Sequence, residues 1–141
     1  MTDKGLLHVK YVIVCDDIRE EKSNKAILIG VYSERVIVKA LPTLLPKLAF
    51  RICFDIQKSM NARFMFSVKK PDGKYVGPPF PMEIKSKIVG LKEAYVNIIL
   101  SPFVVDLEGN YGIYITVDDK EQKIGEFSVS IGKGEEKSAQ K

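Results

Sequence analysis

Few side chains in this chain of 141 residues could do covalent or metal chemistry: a single histidine, His8, and two cysteines, Cys15 and Cys53. Nucleophilic catalysis needs a nucleophile, a base and a group that orients the base. His8 would have to meet Cys15 or a serine through folding alone, since no local spacing brings such a pair together, and it reads instead as a histidine at the start of the first strand. Two thiols and one imidazole also fall short of a structural zinc site, because no CxxC or HxxxH spacing accompanies them. Carboxylates gather in three places: Asp16, Asp17, Glu20 and Glu21; Asp106 and Glu108; and Asp118, Asp119 and Glu121. Calcium takes six to eight oxygens, and sandwich loops can supply them. Carboxylates at strand ends also form turns and bond to nearby backbone, the simpler role for Asp16 and Asp17 at the end of the first strand. The nucleotide, zinc-protease and serine-hydrolase signatures GxGxxG, GxxxxGK[ST], HExxH and GxSxG do not occur. The sequence is therefore read as a non-enzyme with no catalytic residue, no cofactor and no metal.

The charge pattern points the same way. Lys and Arg number 22 against 18 Asp and Glu, for a net +4, and the basic excess lies in residues 1–70. The cations come singly, interleaved with acids, rather than as the basic stripe or arm of a nucleic-acid protein. Both cysteines sit in apolar runs, YVIVC and FRICF, where a thiol behaves as a small buried hydrophobe. The N-terminal stretch lacks a signal-peptide pattern, and no window is apolar enough for a spanning helix. The expected compartment is the cytoplasm.

The elements that must position these residues are strands. Leu48, Phe50, Ile52, Phe54 and Ile56 alternate with Ala49, Arg51, Cys53, Asp55 and Gln57, the period-two pattern of a strand with one buried face. Phe64, Phe66 and Val68 repeat it, and Pro71-Asp72-Gly73-Lys74 supplies a turn. Tyr111, Ile113, Ile115 and Val117, then Phe127, Val129 and Ile131, read as a C-terminal hairpin joined through the polar turn Asp118-Asp119-Lys120-Glu121. Val9–Cys15 and Ala26–Tyr32 are continuously apolar, the pattern of central strands covered on both faces, and Ile27 and Ile29 join the expected core with Val12 and Val14. Val36–Val38 is a short strand, and Pro42 and Pro46 make residues 39–46 a crossing loop. Gly109-Asn110-Tyr111-Gly112 reads as a turn. For residues 82–94 a strand from Met82 to Val89 is favoured over a short helix from Lys85 to Ala94.

Together these patterns predict an all-β fold: one antiparallel β-sandwich of eight or nine strands over residues 1–131, immunoglobulin-like or C2-like, with a barrel as the alternative. Residues 132–141 are expected to be a mobile polar tail. The absence of tryptophan removes the Cys-Trp-Cys core of a true immunoglobulin domain.

The opening Val14-Cys15-Asp16-Asp17-Ile18-Arg19-Glu20-Glu21, followed by Leu28-Ile29-Gly30-Val31-Tyr32, resembles a family of small bacterial and phage proteins known only as a domain of unknown function. Leu44-Leu45-Pro46-Lys47-Leu48, the Pro71-Asp72-Gly73 turn, Gly109-Asn110-Tyr111 and Ile124-Gly125-Glu126-Phe127 are similar too. The resemblance spans about residues 9–131. It implies a β-sandwich and brings no activity, cofactor or catalytic residue.

With no chemistry to carry, the expected function is protein interaction or assembly through loops or a sheet edge. The expected contact residues are Asp16, Asp17, Arg19 and Glu20 in a first loop, with Tyr75, Phe80 and Tyr95 as exposed aromatic anchors. The expected partner is a protein, with pairing of copies through a sheet edge included; nucleic acid and a membrane span are not expected. The alternative is a calcium-dependent ligand or membrane binder of C2-like type.

Overall fold

A computed structural model describes residues 7–22, 25–56, 60–86 and 93–132. The described residues form eleven strands: β1 (Val9–Glu20), β2 (Ala26–Val31), β3 (Arg35–Val38), β4 (Thr43–Leu45), β5 (Leu48–Asp55), β6 (Met60–Lys69), β7 (Phe80–Ser86), β8 (Glu93–Leu100), β9 (Phe103–Val105), β10 (Gly109–Val117) and β11 (Lys120–Ile131). There is no α-helix among the described residues, so nothing there is a helix long and apolar enough to cross a membrane.

Strict alternation buries the apolar face it predicts, but the other face of β5 is not wet as expected: Ala49 and Cys53 are fully buried as well, Ala49 under Cys15 and Ile18. In β5, Leu48, Phe50, Ile52 and Phe54 are fully buried, and in β10 Tyr111, Ile113 and Ile115 are too. They face each other across two sheets, one in the order β2-β1-β5-β8 and one in the order β3-β11-β10-β6-β7. Aromatic rings bridge the layers: Phe50 lies 5.2 Å from Phe66 and 6.3 Å from Phe127, while Tyr111 stacks on Phe127 at 5.3 Å. Offset and tilted ring pairs at such spacings add to the area they bury. The fold is thus an all-β sandwich of two main sheets.

Several local expectations are corrected. Two of the eleven strands, β4 and β9, come from segments bounded by prolines and pair only with each other, Leu44 opposite Val104. The loop expected at residues 39–46 crosses between the sheets but holds β4. Residues 109–112 are the start of β10, opposite Val129 to Glu126 of β11, and not a turn. The turn expected over residues 118–121 is shorter: only Asp118 and Asp119 form it, both at positive φ (50° and 66°), the conformation a two-residue hairpin loop requires and that Asp tolerates, while Lys120 and Glu121 already pair within β11. β3 runs parallel to β11, a pairing that a hairpin reading does not foresee. The strand favoured at Met82 is β7, beginning two residues earlier at Phe80 and passing through Lys85, where a helix was the alternative; residues 87–92 and the tail from 133 lie outside the described residues.

Candidate functional site

β1 serves two partners in succession. Its first half pairs with β5, Val14 opposite Phe50 and Cys15 opposite Ala49; its second half pairs with β2, Asp17 opposite Ile29 and Arg19 opposite Ile27. The far half of the β1–β2 hairpin therefore extends past the sheet that β5 defines. Where it leaves, the chain bends. Gly30 is at φ 67°, a left-handed conformation that favours glycine, and a Cβ there would stand 2.2 Å from Asp16 Oδ2. Asp16 fills that space and accepts a 2.5 Å hydrogen bond from Tyr32 Oη. Burial and this bond push the Tyr32 phenol up to about 12.

The bend exchanges the two faces of the hairpin. Below it, Tyr32 N–H donates to Val14 O; above it, Glu21 N–H donates to Lys25 O. In an antiparallel pair such bonds recur at every second residue, so an even-numbered bond on one side and an odd-numbered one on the other mark a shift of phase at Asp16 and Gly30. Ile18 consequently lies on the same side as Cys15, and with Ala49 the three form a buried cluster against which Ala26 and Leu28 pack. The hairpin folds across the outer face of its own sheet. Glu20 Oε2 accepts a 2.8 Å bond from Asn97 Nδ2 in β8, Asn97 Oδ1 accepts from Arg51 at 3.1 Å, and the Arg51 guanidinium lies 4.0 Å over the Tyr95 ring. Tyr95 Oη in turn donates to Glu93 at 2.8 Å, and Glu93 pairs with Lys10.

The other side of the hairpin faces solvent. Ile27 and Ile29 are 46% and 39% exposed, which corrects their placement in the core. β2 is an edge strand and not a central one. A cleft of about 220 Å³ opens at the root of the hairpin, between Val12 and Val14 on one side and Glu126 and Phe127 on the other, with Tyr32 and Glu34 beside it.

The expected contact residues can now be placed. Asp16, Asp17, Arg19 and Glu20 lie within β1 and not in a loop, because the strand runs through them to Glu20. Asp17 accepts the Ile18 N–H at 2.9 Å and pairs with Lys47 at 3.3 Å; Arg19 has no polar partner among the described residues. Through Glu20, Asn97 and Arg51 the structure joins this group to Tyr95. Tyr75 and Phe80 belong with the other sheet: Tyr75 is exposed and donates to Glu121 at 3.1 Å, whereas Phe80 is half-buried, 5.7 Å from Phe66, and is no exposed anchor. Sequence reasoning missed the exposure of β2. Its one signal was Gly30, since an isolated glycine in a strand pattern marks a bulge or a close backbone approach.

The residues weighed for chemistry stay apart. His8 is exposed and holds Asp55 N–H through its backbone carbonyl. Cys15 and Cys53 are buried and unpaired, and burial raises the Cys15 thiol's pKa, opposite to what a nucleophile requires. The acids take separate partners: Asp106 pairs with Lys70 at 3.3 Å, Glu108 accepts Ile131 N–H at 2.8 Å, and Glu121 pairs with Lys69 at 2.6 Å. No three His, Cys, Asp or Glu side chains converge among the described residues.

Residues 10–130, from the start of β1 to the end of β11, match the model of DUF6941, a family of unknown function. The chain belongs to that family. The matched span takes in both sheets and the folded-over hairpin, so the exposed face of β2 lies within the family domain and not in an appendage. No curated protein matches the chain.

Proposed function

We propose that the chain is a non-enzymatic interaction module, and that its contact element is the free edge and outer face of the β1–β2 hairpin. One observation carries the reading. The two main sheets have four edge strands among the described residues, and two are guarded along their length: β7 by Pro81, Glu83 and Lys85, and β3 by Arg35 and its length of four residues; β8 has its one charge, Glu93, at its first residue, and the Arg51 guanidinium lies over its exposed Tyr95. β2, with the sequence AILIGV, carries neither charge nor proline and exposes Ile27 and Ile29. Unguarded edges invite another strand, so proteins that must stay apart blunt them with charge, proline, bulges or brevity. A strand added to β2 would find backbone groups to bond and apolar side chains to cover, the pattern of β-strand addition. Arg19 and Asp17, beside Ile27 and Ile29, would form the polar rim.

Affinity capture tests this with the full chain as bait, counting untagged copies of the chain as a partner. The double variant Ile27→Ser, Ile29→Ser is expected to lose the partners that wild type retains, and Arg19→Ala to weaken them. The control Glu83→Ser, Lys85→Ser on β7 is expected to keep them. Identical capture by wild type and the β2 variant would overturn the proposal.

A further inference from the structure

Resting on that reading, we infer that the strand received by β2 is β2 of a second copy, antiparallel about a twofold axis at Leu28. Three features of the hairpin fit a copy of itself.

The first is the direction of the backbone groups. Above the bend, Glu21 N–H bonds to Lys25 O, so odd-numbered residues of β2 turn their N–H and C=O toward β1, and Ala26 and Leu28 turn theirs to the open edge. Leu28 can then exchange both bonds with Leu28 of the second copy. In that register Ile27 stands opposite Ile29 of the copy, and Ile29 opposite Ile27.

The second is the side-chain pattern this creates. Ile27 and Ile29 share the exposed face, so the axis gathers four isoleucines into one patch. Arg19 lies beside Ile27 and Asp17 beside Ile29. Each row across the four strands therefore runs Asp17, Ile29, Ile27, Arg19, ending in an anion at one side and a cation at the other.

The third is charge at the two ends of the hairpin. Its tip carries the cations Arg19, Lys22 and Lys25 against the carboxylates Glu20 and Glu21, a small basic excess, and Glu20 is drawn toward Asn97 by a 2.8 Å hydrogen bond. At its root, the cleft is lined by Glu34 and Glu126; Glu126 is paired with Lys123 at 2.6 Å, and Glu34 is the carboxylate there with no ion pair among the described residues. Antiparallel pairing sets Lys25 of one copy opposite Val31 of the other and carries each basic tip toward the other's acidic root. A parallel arrangement would put tip on tip.

The contact is short, so the dimer should be weak and exchange rapidly. Cross-linking reads the register directly. Residues in a non-hydrogen-bonded antiparallel pair have Cα atoms about 4.5 Å apart, within disulfide reach. Ile27→Cys and Ile29→Cys proteins are oxidised separately and mixed. The mixture is expected to yield several-fold more covalent dimer than either variant alone, and most of it should join the two variants. Equal yields in all three samples, or no dimer in any, would overturn the inference. Sedimentation of unmodified protein is the second measurement: wild type should shift toward twice the monomer mass as concentration rises, and Ile29→Lys should not. A wild type that stays monomeric up to its solubility limit would overturn the second copy. If that monomer still captured another protein through Ile27 and Ile29, the reading of β2 as a contact edge would stand without it.

Discussion

The two hairpins at the ends of the chain are built from similar lengths of strand and meet different fates. β10 and β11 stay in one sheet, and their alternation places Tyr111, Ile113, Ile115, Phe127 and Val129 in the core while Tyr114 and Thr116 lie half-exposed on the other face. β1 and β2 leave their sheet at Asp16 and Gly30, exchange faces there, and expose Ile27 and Ile29 while burying Ile18. A strand's two faces are defined only between bends; one left-handed residue is enough to change which side chains meet water.

The contrast can be broken at either end. The largest expected effect is in the C-terminal hairpin, where Phe127 packs on Phe50, Phe103 and Tyr111. Phe127→Ala should cost about 3–5 kcal/mol in chemical denaturation. Ile18→Ala, in the smaller cluster with Cys15 and Ala49, should cost about 2–3 kcal/mol. Hydrogen exchange would then show the loss confined to β2 amides, and uniform acceleration through β10 would contradict a separately held hairpin. Gly30→Ala should cost about 1–3 kcal/mol, through the left-handed backbone and the contact with Asp16. Asp16→Gly in the same chain should recover part of that loss by clearing the space.

The Tyr32–Asp16 contact gives a pH signature with a definite sign. The folded-state phenol titrates at about 12, above the ordinary value near 10, so the folded state holds its proton more firmly than the unfolded one. Its contribution is fully present below pH 10 and declines as pH rises toward 12. Wild type should therefore lose more stability between pH 9 and 11.5 than Tyr32→Phe; equal slopes would contradict it. Burial also raises Tyr111, so the difference between the two proteins is the quantity to measure. The smallest effect on folding is expected at the exposed face: Ile29→Ser should shift stability by no more than about 0.5 kcal/mol, since it removes a solvent-facing side chain. A large loss there would mean that Ile29 supports the fold and does not serve as a contact.

Much of the architecture was legible because period-two alternation maps directly onto buried and exposed faces. β5, β6, β10 and β11 follow from Leu48, Phe50, Phe64, Phe66, Ile113 and Phe127 by that rule alone. The site was legible only in part. Asp16, Asp17, Arg19 and Glu20 were singled out for their polarity and placed in a loop, whereas the strand carries them and the side chains that bond Asp16, Asp17 and Glu20 lie 16, 30 and 77 positions away in the chain. Continuous apolarity in Ala26–Tyr32 carried no sign of which face would be covered, so Ile27 and Ile29 were assigned to the core.

The sequence by itself determined that this chain is built of strands around a shared apolar core, because its alternate phenylalanines, isoleucines and valines can be hidden only by putting their faces together; a sandwich over a barrel was the favoured way to do so. Tertiary structure alone decided which apolar strand would remain at an edge. That choice depends on how far β5 extends along β1 and where Gly30 lets the hairpin turn over, and both are relations between residues distant in the chain.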